Sequence, residues 1–201
     1  MIKIIKKNIK IKNKIFFKSS LGNINIFFID KTFKIPTNIK IYIQNKTVFF
    51  KSSLGLLSLT INNNLFIFYK NNKLLLIVNL KKNKKSILNL YIKLIKIKIK
   101  GILQGFKLNL ILKGIGFKSS IENNNLILKL GFSHNISIAI PPNIEIISQA
   151  NNLIFSSIDF IFLNQFVHFV KNHKKPEPYK GKGLLLKNEK ILLKEGKKSK
   201  K

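Results

Sequence analysis

The chain has 201 residues, enough for one large domain or two of about 100 residues each, with a real core in either case. Its 38 basic residues, all of them lysine, face 7 acidic ones, a formal net charge of +31 that self-repels unless a polyanion is supplied, nucleic acid ahead of an anionic membrane surface. With no cysteine there is no disulfide framework, no thiolate chemistry and no sulfur-ligated zinc, and three scattered histidines do not replace it.

Residues 1–17, MIKIIKKNIKIKNKIFF, are basic and apolar but lack the Arg and Ser usual in organelle-targeting peptides, so they read as a basic extension or a first strand. Lys, Asn, Ile, Phe and Leu dominate, Arg and Trp are absent, and Ala occurs only at Ala139 and Ala150. All five favoured residues have AT-rich codons, which suggests an organellar genome and a protein made inside the organelle. Lys, Asn or Ser interrupts every apolar run before the roughly 18 residues a membrane span needs, so no membrane span is expected.

Short alternating runs follow: NIKIYIQ at 38–44, LLSLTI at 56–61 and LFIFYK at 65–70. Each predicts a strand with one buried face. The clusters Asn62-Asn63-Asn64 and Asn71-Asn72 are turn signals between antiparallel strands. From 86 to 103 the polar residues Asn89, Lys93, Lys96 and Lys100 recur every three or four positions, opposite Ile87, Leu90, Tyr91, Leu94 and Ile95, which predicts a half-buried helix. IKIKIK at 95–100 also alternates as a strand would.

The second half repeats the style with KLNLILKG from 107, GFKSSIE from 116, LILKLGF from 126 and SIAIPPNIEIIS from 137. A second helix is predicted over 156–171, with Phe160, Leu163, Phe166, Val167 and Val170 on one stripe and Pro176 forbidding much continuation. FKSS at 50–53 and at 117–120, each followed by NNNL, suggests a duplicated unit. A third FKSS at 17–20 shows how cheaply the word arises in this alphabet. The expected organisation is α+β: a basic extension over 1–34, one domain over 35–105, a second over 106–185 and a lysine-rich, exposed tail over 186–201.

Enzyme signatures are missing. Gly181-Lys182-Gly183 lacks the earlier glycine and following Ser or Thr of a phosphate-binding loop, and Gly114-Ile115-Gly116 lacks the third glycine of a dinucleotide fingerprint. Ser133 and His134 are adjacent, so on a strand they point apart and make a poor nucleophile pair. His168 and His173 could contact phosphate or face water, and Asp159 suits a helix start. Most of the 17 Phe sit at core positions, whereas Tyr179 lies in a polar loop and looks offered to a partner.

The stretch HKKPEPYKGKG, 173–183, stands apart from the rest. Pro176 and Pro178 fix φ, and Gly181 and Gly183 would let backbone approach a phosphate chain. Lys174, Lys175, Lys180 and Lys182 supply charge; Glu177 either pairs with one lysine or is solvated. The whole reads as a rigid basic clamp for a polyanion.

PEPYKGKG at 176–183, LGFSH at 130–134 and LKGIGFKSS at 112–120 closely resemble the L-six family of large-subunit ribosomal proteins, over roughly residue 35 to the C-terminus and most strongly from Gly105. The resemblance implies a tandem α+β duplication, two small sheets and one helix per domain around a single core, with no cofactor and no enzyme activity. It implies contact with large-subunit rRNA near the sarcin-ricin loop, with neighbouring large-subunit ribosomal proteins as partners and translational GTPases docking nearby. Carried onto this chain, the RNA contact falls on Lys171, His173, Lys174, Lys175, Pro176, Glu177, Pro178, Tyr179, Lys180, Gly181, Lys182 and Gly183, and Gly131, Ser133 and His134 form an architectural turn. Where relatives carry arginines around this loop the chain has Lys174, Lys175 and Leu184-Leu185-Leu186, losing the planar fork that grips phosphate in two places. The expected location is an organellar ribosome, mitochondrial before reduced plastid. The contrasting reading is a free basic protein binding DNA or anionic membrane without specificity.

Overall fold

The structure, a computed structural model, describes residues 16–17, 26–27, 31–62, 65–70, 73–78, 85–149 and 151–196. The turn residues Asn63, Asn64, Asn71 and Asn72 and most of the N-terminal extension lie outside them. The chain divides into two compact units, Met1–Leu103 and Gln104–Lys201.

In the first unit β1 (Phe16–Phe17) pairs with β2 (Ile26–Phe27). Then come β3 (Lys31–Lys34), β4 (Lys40–Gln44), β5 (Thr47–Ser52), β6 (Gly55–Thr60), β7 (Leu65–Lys70), β8 (Lys73–Val78) and α1 (Lys85–Gln104). β4, β5 and β6 form an antiparallel meander, while β3, β8 and β7 form a second sheet with β8 in its centre. Because side chains alternate along a strand, β5 turns Val48 and Phe50 inward, to full burial, and Phe49 and Lys51 outward. Leu74 and Leu76 of β8 are equally buried. The pairing of β3 with β8 makes residues 31–34 part of a sheet, although the sequence reading assigned them to the extension.

IKIKIK is helical. Leu88, Ile92, Ile95 and Ile102 are buried at helical spacing, and that longer phase overrides the local alternation. Asn89, Lys93, Lys96 and Lys100 are exposed as expected. Leu90, expected on the buried stripe, is 53% exposed, because it falls on the side of Asn89 and Lys93.

The second unit contains β9 (Phe106–Lys113), β10 (Lys118–Glu122), β11 (Asn125–Lys129), β12 (Ile136–Ala139), β13 (Glu145–Gln149), β14 (Asn152–Ser157), α2 (Phe160–Asn172) and β15 (Gly183–Leu186). β10, β11 and β12 form a meander, and the other sheet runs β13-β14-β9-β15. Leu163, Val167 and Val170 of α2 are fully buried and share one core with Leu110, Leu112, Leu153, Phe155 and Leu184. Pro141 and Pro142 break the run 137–148 into β12 and β13, which belong to different sheets. Ser156 and Ser157, expected in the helix, are paired in β14; α2 starts at Phe160, where Asp159 is the N-cap and its carboxylate accepts from the Ile161 N–H at 3.1 Å.

Strand for strand, β3 to α1 and β9 to α2 repeat one plan: three strands in a meander, the first strand pairing with the sixth and the sixth with the fifth, then a helix. The fold is thus α+β, a small two-sheet, one-helix unit used twice. Both meanders open with a two-residue turn at positive φ, Asn45 (40°) and Lys46 (69°) in one, Asn123 (45°) and Asn124 (62°) in the other. The FKSS words do not share that equivalence. The first ends the second strand of its meander, β5, and the other leads into the first strand, β10. The topology is duplicated, and those words recur by composition.

Candidate nucleic-acid interface

Three loops of the second unit, and the segment after β15, are tied together by side chains and backbone. The β9–β10 loop turns at Gly116 (φ +75°) and leaves Ile115 91% exposed, while Phe117 folds inward beneath it. A Cβ at Gly114 would stand 2.8 Å from the Phe117 ring, and one at Gly131 (φ +73°) would stand 3.4 Å from it. Both glycines therefore let backbone close over one aromatic ring. Beyond Gly131, Phe132 is 41% exposed and stacks on His134, and the Lys174 ammonium sits 4.2 Å from the centre of the Phe132 ring. That contact joins the LGFSH turn to the Pro-Gly loop. Ser133 and His134 are exposed and point into no enclosed site.

The loop between α2 and β15 is closed by its own backbone. The Glu177 N–H donates to the Lys182 carbonyl at 2.8 Å, Gly181 N–H to the Glu177 carbonyl at 2.9 Å, and Leu184 N–H to the Lys174 carbonyl at 2.9 Å. Glu177 acts here through its main chain, and its side chain is exposed. Gly183 (φ +145°) is buried: a Cβ there would meet Pro176 Cα at 2.6 Å and the Lys175 carbonyl oxygen at 2.7 Å. The expectation that Gly181 and Gly183 admit a phosphate is corrected accordingly. Gly181 N–H is bonded inside the loop, and Gly183 admits the loop's own backbone.

What faces outward is Lys175, Glu177, Pro178, Tyr179 (55% exposed) and Lys180, with Lys174, Pro176 and Lys182 half-buried. Lys171 and His173 differ. The Lys171 ammonium donates to Glu189 at 2.6 Å, and the His173 Nε2 is buried without a hydrogen-bond partner, its ring edge-on to Phe169. Glu189 also accepts from the Leu186 N–H at 3.2 Å, and its carboxyl is held below the usual range chiefly by the Lys171 hydrogen bond, burial opposing. Lys171 and Glu189 thus tie α2 to the chain beyond β15.

The segment expected to be an exposed tail is in part structural. Leu186, its first residue, follows the buried Leu184 and Leu185 in β15 and pairs with Leu110 of β9, in the sheet that α2 packs against. Further on, Lys194 N–H donates to the Pro178 carbonyl at 2.9 Å, and Ile191 and Leu193 lie 3.6 Å from where a Gly181 Cβ would stand. Sequence reading missed these residues and Phe132; only the aromatic inside the LGFSH word offered a signal. Among the described residues no cluster of His, Asp and Glu could hold a metal ion, and no helix is long and apolar enough to cross a membrane.

No family model matches the chain. Curated relatives do. The large ribosomal subunit protein uL6c of Thalassiosira pseudonana is 36% identical over 178 residues, covering 84% of this chain and 95% of its own length. The chain belongs to the uL6 family. The uL6m protein of Reclinomonas americana is 35% identical over 178 residues, covering 84% and 96%, and uL6 of Metamycoplasma arthritidis is 29% identical over 170 residues, covering 84% and 95%. As a uL6-family member the protein is a structural component of the large ribosomal subunit and not an enzyme. The three tied loops are the surface of this uL6-family chain where its distinctive words, LKGIGFKSS, LGFSH and PEPYKGKG, come together.

Proposed function

We propose that the second unit binds large-subunit rRNA through the Pro-Gly loop and the two loops tied to it, and that it does so near the sarcin-ricin loop, beside the docking site of translational GTPases. One observation carries the reading: a backbone-closed loop that presents Lys175, Tyr179 and Lys180 to solvent, with Lys174 braced on Phe132. A loop ordered before binding loses little entropy on meeting RNA, and its lysines release counterions from phosphates. The placement near the sarcin-ricin loop rests on the resemblance in PEPYKGKG. Gly131, Ser133 and His134 act as the architectural turn that sets Phe132 against Lys174. The domain limits are proposed as one unit ending near Gly105 and a second, RNA-binding unit from Phe106.

Composition and the uL6c and uL6m relatives together support an organellar ribosome, with the mitochondrial matrix ahead of a reduced plastid. A large-subunit protein co-sediments with large subunits through a moderate-salt wash, whereas a free DNA- or membrane-binding protein is stripped off. The site itself is tested by salt-titrated binding to an rRNA fragment containing the sarcin-ricin loop. Changing Lys180 and Lys182 to Ala should weaken binding and flatten the log–log salt slope by up to about 1.8, roughly 0.9 for each phosphate neutralised. An unchanged slope and affinity would move the RNA contact elsewhere on the molecule.

A further inference from the structure

The first unit carries an outward face that the fold does not require. On the β4–β5–β6 meander, Ile41, Val48, Phe50, Leu57 and Leu59 point to the core, so their neighbours point away. Tyr42 and Phe49 are directly opposed across β4 and β5, their rings stacked at 5.0 Å and 11°. Tyr42 is 39% exposed and Leu56, on the same face, 49%. Lys40 and Lys51 oppose one another at the end of this ladder, and both are exposed. No carboxylate occurs anywhere between residues 31 and 121.

The second unit supplies an internal comparison. At the equivalent places of its meander Lys118 opposes Lys129, as Lys40 opposes Lys51, but Ser120 opposes Ile127 where the first unit has Tyr42 and Phe49. Glu122 stands where the first unit has Gln44. The same backbone therefore forms without an aromatic pair. Lys40 and Lys51 have no ion-pair partner among the described residues, so the occupant that fits is anionic as well as able to stack on the rings. Unpaired RNA satisfies both features at once, since its bases have flat π-faces and its phosphates are anionic.

We propose that this sheet face is a second RNA-binding surface, in which one or two unpaired nucleotides continue the Tyr42–Phe49 stack while Lys40 and Lys51 meet the adjoining phosphates. It does not depend on the Pro-Gly loop. The full-length chain is titrated with an unpaired RNA of about eight nucleotides, a length within the usual site size of such surfaces. Substituting Tyr42→Ser with Phe49→Ile, the residues the second unit uses, should weaken binding at least about five-fold without changing the salt slope. Lys40→Gln with Lys51→Gln should lower the slope, by about 0.7 for each phosphate that is no longer neutralised. Ultraviolet irradiation of intact large subunits, followed by peptide mapping, should place a nucleotide on Tyr42 or Phe49. The idea is overturned by parental affinity in the aromatic variant. It is equally overturned if intact subunits give no nucleotide there, including the case where Lys40 and Lys51 cross-link to a neighbouring protein instead. The crosslink should persist in the Lys180→Ala, Lys182→Ala variant, so a failure of the loop reading and a failure of this one give different results.

Discussion

Two glycines with positive φ separate what a loop needs from what a ligand needs. At Gly116 nothing lies within 4 Å of an added Cβ, so Ala there meets only the left-handed backbone penalty, about 1–2 kcal/mol. At Gly183 the φ of +145° is a region almost reserved for glycine, and a Cβ would also collide with Pro176 and Lys175 main-chain atoms at 2.6 and 2.7 Å. Those atoms are fixed by the proline and by the Leu184 to Lys174 bond, so neither can simply swing away. Gly183→Ala should cost about 3 kcal/mol or more, combining strain with overpacking. Urea unfolding of both variants measures the difference. Equal losses would mean that the Pro-Gly loop is soft and that its glycine is not a packing residue.

At the scale of elements, the second unit is fastened where α2 and β15 leave each other, by Glu189 bonded to the Lys171 ammonium and the Leu186 N–H. Because the folded carboxyl lies below its ordinary value of 4.5, the folded state favours the charged form. Its stabilisation is present above the unfolded value and is lost as pH falls through the folded one. Glu189→Gln should therefore be less stable than the parent by a constant margin above about pH 5, and the margin should shrink below pH 4.5. Thermal melts of both proteins between pH 3 and 7 would show it, and a margin independent of pH would separate Glu189 from Lys171. None of this fastening was legible in sequence, because Lys171 and Glu189 belong to different segments and LLL at 184–186 is too short to show alternation. Local signals fared better. Alternation located the meanders, Pro176 stopped α2 short of the loop, and PEPYKGKG marked the backbone-closed loop. Where a local period competed with a longer one, as in IKIKIK, the longer helical phase won, whereas Phe132 meeting Lys174 needs the folded chain.

Taken whole, the molecule joins a fold of two repeated units to a charge that works against compaction. Each repeat buries its own Leu, Ile and Phe core, yet the chain carries 38 lysines and only 7 carboxylates to offset them. At low ionic strength repulsion reaches across much of the surface, since the screening length is about 30 Å at 0.01 M, and it contracts to about 8 Å at 0.15 M. Salt also weakens attractive pairs such as Lys171–Glu189, but with seven carboxylates these are few, and repulsion is the larger effect that screening removes. The free protein should consequently melt at a higher temperature as salt rises from about 0.01 to 0.3 M, opposite to what a structure held by surface ion pairs would do. In the same interval its affinity for RNA should fall, because phosphate contacts are driven by counterion release. Both trends would follow from the same excess of lysine charge: salt screens its self-repulsion in the free chain and weakens its attraction for the phosphates of the proposed rRNA contact. Differential scanning calorimetry alongside salt-titrated binding tests the pair, and a melting temperature that drops with salt would show that specific ion pairs, rather than net repulsion, govern the stability of the free chain.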